Sequence, residues 1–219
     1  MISYTCAENN AKLSSKKIYV VRHGQTDFNL RNVVQGSGID SSLNDRGRAQ
    51  AQAFYEAFKH VSFDKIYTSS LKRTTESVRA FLDRGIPTEA LAGLNEISWG
   101  TKEGFPITPE ADEFYHHMLH QWQIGNTGVK IENGESPDEV VARMKPALEY
   151  ILQQEHEKTV LVCMHGRAIR ILICMLLNIP LKNMDFYEHQ NLGLYLFDYK
   201  DSVFTIERHN DADHLRLLI

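Results

Sequence analysis

Residues 18–29, IYVVRHGQTDFN, begin as an apolar, β-branched run and end on a charged pair. The first half has the pattern of a strand buried on both faces, as strands of a parallel sheet are. It stops at Arg22-His23, a cation and an imidazole side by side, with Gly24 behind them. A hydrophobic core gains nothing from that pair, whereas a site that handles an anion does. Gly24 is expected to let the backbone turn sharply there.

Outward from this point, apolar periodicity alternates strand and helix. The strand KIYVV (17–21) leads to a helix over 45–61, a strand DKIYTS (64–69), and a helix over 71–85 that ends at Gly85. PTEALAGL (87–94) is a weaker strand, and 135–156 a long helix. In that helix Ser136 and Glu139 form a capping box, Pro137 takes the first position, and Pro146 is a candidate kink. The strand TVLVCM (159–164), the helix RAIRILICMLL (167–177) and a closing hairpin, GLYLFDY (193–199) with FTIERH (204–209), complete the series. Alternating βα units predict an α/β fold: a three-layer α/β/α sandwich around a mostly parallel sheet with an antiparallel edge. Residues 99–135 break the rhythm with glycines, prolines and the aromatic, His-rich segment DEFYHHMLHQW (112–122), and read as a lid-like excursion. The organisation expected is a polar leader over 1–16 and one domain over 17–219.

A chain of 219 residues suits one ordinary domain. The net charge of −4, with ten histidines counted neutral, argues against a general nucleic-acid or anionic-membrane binder. Cys6, Cys163 and Cys174 have neither zinc-site nor disulfide spacing; Cys163 and Cys174 fall in apolar runs, and a reducing cytoplasm fits. Residues 1–17 lack the apolar region of a secretory signal, and no run reaches membrane-spanning length.

Ligands of open α/β sheets bind beyond the carboxyl ends of the strands. Those ends carry Arg22-His23, then Ser69-Ser70 with Arg73 one turn on, then Asn95-Glu96, then His165-Gly166. Two arginines can fork onto phosphate oxygens. One neutral histidine can attack phosphorus, a second can bond the equatorial oxygens, and a carboxylic acid can protonate the leaving oxygen.

Six blocks in order, VVRHGQTDFN (20–29), QGSGIDSSLNDRGRAQA (35–51), YTSSLKRT (67–74), LNEISWGTKEG (94–104), NGESPDEVVARM (133–144) and VCMHGRAIR (162–170), resemble those of the histidine phosphatase superfamily, the phosphoglycerate mutase-like family. The resemblance implies a phosphoglycerate mutase-like fold, with His23 as nucleophile forming a phosphohistidine. Arg22, Arg73 and His165 would complete the phosphate pocket, with Glu96 as proton donor. Asn29 and Gly166 would add phosphate contacts and Thr26 would support the loop. Three positions depart from the pattern. Ser77-Val78 stand where Thr-Ala is common and bear on packing; Lys102 and Arg167 replace an aromatic and a small residue, and are candidate substrate contacts.

Each motif has a plainer explanation. A lone histidine is more often structural, Glu96 alone reads as a helix-start carboxylate, and Arg170 as a helix-surface or structural residue. His116 and His120, with His117 between them, have the spacing of helix-borne metal ligands but no partner carboxylate motif. Neither a metal nor another cofactor is expected, since arginines supply the charge. The expected partner is a small-molecule phosphomonoester, with no nucleic acid and no membrane; a homodimer is permitted but not required. Three functions compete: a metal-independent phosphomonoester hydrolase, a cofactor-dependent phosphoglycerate mutase-type isomerase, and a phosphate-binding module without catalysis. A mutase needs fixed cations around a second phosphate, and from Glu103 to Val129 the chain has no lysine or arginine, which favours the hydrolase.

Overall fold

The computed structural model describes residues 15–218; Cys6 and most of the expected leader lie outside them. The chain runs β1 (Ser15–Arg22), α1 (Asp27–Leu30), α2 (Asp45–Phe58), β2 (Lys65–Thr68), α3 (Lys72–Ser77), α4 (Arg79–Leu82) and β3 (Thr88–Ala90). It continues through α5 (Pro109–Gln123), α6 (Pro137–Gln153), β4 (Thr159–Met164), α7 (Gly166–Leu176), β5 (Leu194–Lys200) and β6 (Val203–Asp211). One six-stranded sheet forms in the order β3-β2-β4-β1-β5-β6. The first four of these strands are parallel; β5 is antiparallel to β1, and β6 to β5. Asp201 and Ser202 join the last two with φ of 51° and 65°, the conformation of a type I′ turn.

Side-chain alternation along the strands builds two cores. Ile18 and Val20 of β1 and Val160, Val162 and Met164 of β4 pack with α6 and α7 on one face. Val21, Leu161 and Cys163 pack with Phe54 and Phe58 of α2 and Phe81 of α4 on the other. The sandwich is therefore three-layered. The chain leaves β1 toward the α2 face, and leaves the adjacent β4 toward the α7 face. Neighbouring connections that part in this way open a crevice at the carboxyl end of the sheet.

Four boundaries differ from expectation. β1 begins at Ser15, inside the expected leader, because Lys16 is buried and its ammonium bonds Ile151 O (2.7 Å) and Gln154 O (3.1 Å) at the end of α6. The helix expected over 71–85 breaks at Val78 (φ −114°, ψ 11°) into α3 and α4. The weak strand over 87–94 shortens to three residues, followed by a 3-10 turn at Ala92–Leu94. The excursion contains a full helix, α5, whose Trp122 is buried and bonds Val129 O through its indole N–H (2.8 Å). Among the described residues no helix is long and apolar enough to cross a membrane.

Candidate active site

The loops leaving β1 and β4 flank the crevice, and each begins with a histidine. His23 is buried, its amide donating to Met164 O of β4 (3.0 Å). Its Nδ1 lies 2.7 Å from Gly24 O, so Nδ1 carries the proton and Nε2 keeps the lone pair. Burial, then the charges of Arg73 and Arg22, hold this imidazole well below the ordinary histidine range. It is neutral at pH 7, the form that attacks an electrophile. The His165 ring centroid lies 5.2 Å away.

Gly24 does not adopt a left-handed conformation; its requirement is one of space. A Cβ there would lie 2.7 Å from Gly47 O, and a Cβ on Gly47 would lie 2.1 Å from Gln25 O. The loop thus rests backbone to backbone on the first turn of α2. Ser77 Oγ accepts from Gly24 N (2.8 Å) and donates to Arg73 O (2.7 Å), tying the loop to α3. The departure at Ser77 therefore bears on the site itself.

Arg73 is fully buried. Its Nη atoms donate to Ile39 O (2.5 Å) and Gly36 O (3.1 Å), and Nε to His165 Nδ1 (3.3 Å). Gln35 is satisfied in the orientation where its Oε1 accepts from Arg73 Nε (2.8 Å) and its amide nitrogen donates to Thr26 Oγ1 (2.7 Å). Burial lowers the guanidinium to about 10, so it stays a cation at neutral pH. Arg22 donates to His189 Nδ1 (3.2 Å), and among the described residues its Nε is buried with no hydrogen-bond partner. Such a donor meets an anion without first losing a bond.

His165 is the N-cap of α7 and fully buried, also held well below the ordinary range by burial and Arg73. Nδ1 accepts from Arg73, so Nε2–H donates to Ser69 Oγ (2.7 Å). Both ring nitrogens are engaged, and an oxyanion would have to replace one of these bonds. Glu96 is buried against the same helix start. It accepts from Arg167 N (3.2 Å), Ala168 N (3.0 Å) and Ile97 N (3.0 Å). Its expected place at a helix start is met by α7, far away in sequence. Arg143 holds the Glu96 segment through Gly93 O and Glu96 O (both 2.9 Å), and is itself gripped by Glu135.

The remaining expected residues divide. Thr26 and Asn29 form a capping box on α1, which commits Asn29 Oδ1 and leaves its NH2 group to meet an anion. Gly166 begins α7 so close to His189 that a Cβ would strike the ring at 2.6 Å. The Arg167 side chain is committed elsewhere: Asp185 and Tyr115 (2.7 Å) hold it over the Trp122 ring. Arg170 pairs with the same Asp185, so it is structural. Lys102 lies on the lining of an apolar cavity. His116, His117 and His120 are exposed on α5, and among the described residues no three metal-ligating side chains form a cage. Sequence reasoning missed His189, and Asn191, whose amide donates to His23 O (2.9 Å). Both sit in an aperiodic loop that carries no signal.

Comparison with known proteins places this geometry. The model of the histidine phosphatase superfamily (branch 1) matches residues 18–212. A protein of Yersinia pestis (strain Pestoides F) named "Probable phosphoglycerate mutase GpmB" is 30% identical over 91% of this chain and 94% of its own. A solved structure titled as a "putative alpha-ribazole-5'-P phosphatase" from Escherichia coli K-12 superposes with a TM-score of 0.80 at 25% identity, over 90% of this chain and 97% of that one. A mycobacterial glucosyl-3-phosphoglycerate phosphatase shares the fold, with a TM-score of 0.76 at 23% identity over 90% and 99% of the two chains.

Proposed function

The chain belongs to the histidine phosphatase superfamily, and we propose that within it this protein is a metal-independent hydrolase of a small phosphomonoester. The observation that supports this most is His23: buried, neutral, and fixed by Gly24 O as the tautomer whose Nε2 is nucleophilic, beside Arg22 and Arg73. In the proposed reaction Nε2 attacks phosphorus and the ester P–O bond breaks. Glu96 gives its proton to the leaving oxygen. Water then attacks the phosphohistidine, its proton returns to Glu96, and the P–N bond breaks to release phosphate. Arg22 and Arg73 balance the phosphoryl charge, the part that metal ions play in many phosphoryl-transfer enzymes.

A second activity, phosphoglycerate mutase-type isomerisation, is favoured by the name of the Yersinia relative. Against it stands the absence of lysine and arginine from Glu103 to Val129, where a second phosphate would need fixed charge. The two separate on one assay. A hydrolase releases inorganic phosphate from a panel of monoesters, whereas a mutase converts 3-phosphoglycerate to 2-phosphoglycerate only when primed with the bisphosphate. Activity of either kind is expected to disappear in His23→Ala, and the native enzyme is expected to trap label as an acid-labile, alkali-stable phosphoenzyme. Full activity in His23→Ala overturns the assignment.

A further inference from the structure

Beside the phosphate pocket lies a cavity of about 220 Å³ whose lining is mostly carbon. Val34, Trp99, Phe105, Ile107 and Ile131 wall it, and Gln35, Lys102 and Tyr115 give it its few polar atoms. From this we infer that the substrate's leaving alcohol is a bulky aromatic or branched apolar group, seated in this cavity. The inference rests on the hydrolase function proposed above.

Continuity carries the argument. Gln35 lines the cavity and also accepts from Arg73 Nε (2.8 Å). Tyr115 lines it and accepts from Arg167, whose backbone N–H binds Glu96 Oε2 (3.2 Å). The cavity thus shares Gln35 with Arg73, and is linked through Tyr115 and Arg167 to the proposed proton donor. The leaving oxygen must lie between phosphorus and Glu96, so the carbon skeleton it carries is directed this way.

The walls are preformed. Val34 N bonds Phe105 O (3.0 Å), Gly104 N bonds Val34 O (2.9 Å), and Ile107 N bonds Asn32 O (3.0 Å), stitching the excursion to the segment after α1. Size fits the assignment: a dry cavity of about 150 Å³ holds benzene, so this one admits a fused bicyclic ring. The hydroxyls or carboxylate of a sugar acid would be desolvated there against carbon, at a cost. Phe105 and Ile107 are also 62% and 49% exposed, leaving apolar surface in water that a bound apolar group would cover.

The test compares 2-(1-naphthyl)ethyl phosphate with ethyl phosphate, whose leaving alcohols are of similar basicity, so that the chemical step is held constant. Apolar pocket contacts are worth about 10- to 200-fold, and kcat/KM is expected to favour the naphthyl ester by at least about 10-fold. Phe105→Gln with Ile107→Gln alters exposed positions and does not threaten folding. The double variant is expected to raise KM for the naphthyl ester several-fold and to lower the naphthyl-to-ethyl ratio of kcat/KM. Calorimetry with the matching phosphonates reads the cavity without turnover. Tighter binding of the naphthylethyl phosphonate with no hydrolysis of any ester would overturn the hydrolase function and uphold the apolar subsite. Equal binding of the two phosphonates, or hydrolysis without preference, would overturn the inference and leave the hydrolase function standing.

Discussion

Glu96 occupies a position in which two roles make opposite demands. Its oxygens accept three backbone N–H bonds, two of them from the first turn of α7, which is what a helix start asks of a carboxylate. The proposed chemistry asks the same group to give up a proton. Glu96→Gln keeps an accepting oxygen for the helix and removes the acid. Hydrolysis of alkyl phosphates, whose alkoxide needs a proton to leave, is expected to slow by about 10²- to 10⁴-fold. Hydrolysis of 4-nitrophenyl phosphate, whose leaving group departs unaided, is expected to change far less. Equal slowing of both classes would mean that Glu96 only anchors α7. The candidates that could then replace it are few: Glu135 is held by Arg143, while Glu103 Oε1 accepts from Trp99 N (2.9 Å) and, among the described residues, its Oε2 is buried without a hydrogen-bond partner. At this scale, legibility followed the strands. Arg22, His23, Arg73 and His165 each adjoin an element with clear apolar periodicity, so topology gathers them; Glu96 follows a weak strand and is marked by the LNEISWGTKEG block instead. Gln35, His189 and Asn191 lie in loops whose path is set by tertiary contacts, and nothing local marks them.

The first turn of α2 supports the loop that carries His23 from below, through glycine. Alanine is the better helix former by about 1 kcal/mol, so Gly47→Ala would stabilise an isolated helix. Here the added methyl would stand 2.1 Å from Gln25 O, which cannot yield without moving the backbone next to His23. Overpacking of this kind costs roughly 1–3 kcal/mol. Gly47→Ala is therefore expected to lower the urea midpoint and to reduce kcat along with it; a gain in stability would show that the loop is not clamped. Elements were legible where one local signal ruled. β4 spans the same six residues as its apolar run, and α6 starts where Ser136 and Glu139 form the capping box. The helix after Arg73 broke where a polar contact overrode periodicity: Ser77 Oγ takes Arg73 O, a carbonyl of its own helix, while receiving Gly24 N. In α5 the apolar stripe of Tyr115, Met118, Leu119 and Trp122 has helical spacing, but flanking glycine and proline obscured it.

Across the whole molecule, the crevice concentrates positive charge in a chain whose net charge is −4. Buried Arg73 and half-buried Arg22 stand among His23, His165 and His189, and these rings are held neutral first by burial, then by the arginines: Arg73 and Arg22 for His23 and His165, Arg22 for His189. Burial and Arg22 bring His189 down to about 2. The consequence for stability has a definite sign. An unfolded histidine titrates near 6.5, so above that pH neither state takes up a proton and these groups leave stability flat. Below it the unfolded chain binds protons that the folded chain refuses, and stability falls as pH drops toward the folded values. Each ring contributes at most about 1.4 kcal/mol per pH unit, so three together reach about 4 kcal/mol per unit. A domain has only about 5–15 kcal/mol in all. The urea midpoint is thus expected to hold between pH 8 and 7 and to fall steeply below 6. His189→Gln removes one of these titrating rings and is expected to make the slope shallower. Inorganic phosphate offers a further check, because an anion between the arginines and His23 offsets the charge that depresses the ring. Its stabilising effect is expected to be larger at pH 5.5 than at pH 8. A midpoint unchanged from pH 8 to pH 5 would mean that the histidines are charged or solvated in the folded protein, and the neutral nucleophile on which the chemistry depends would go with it.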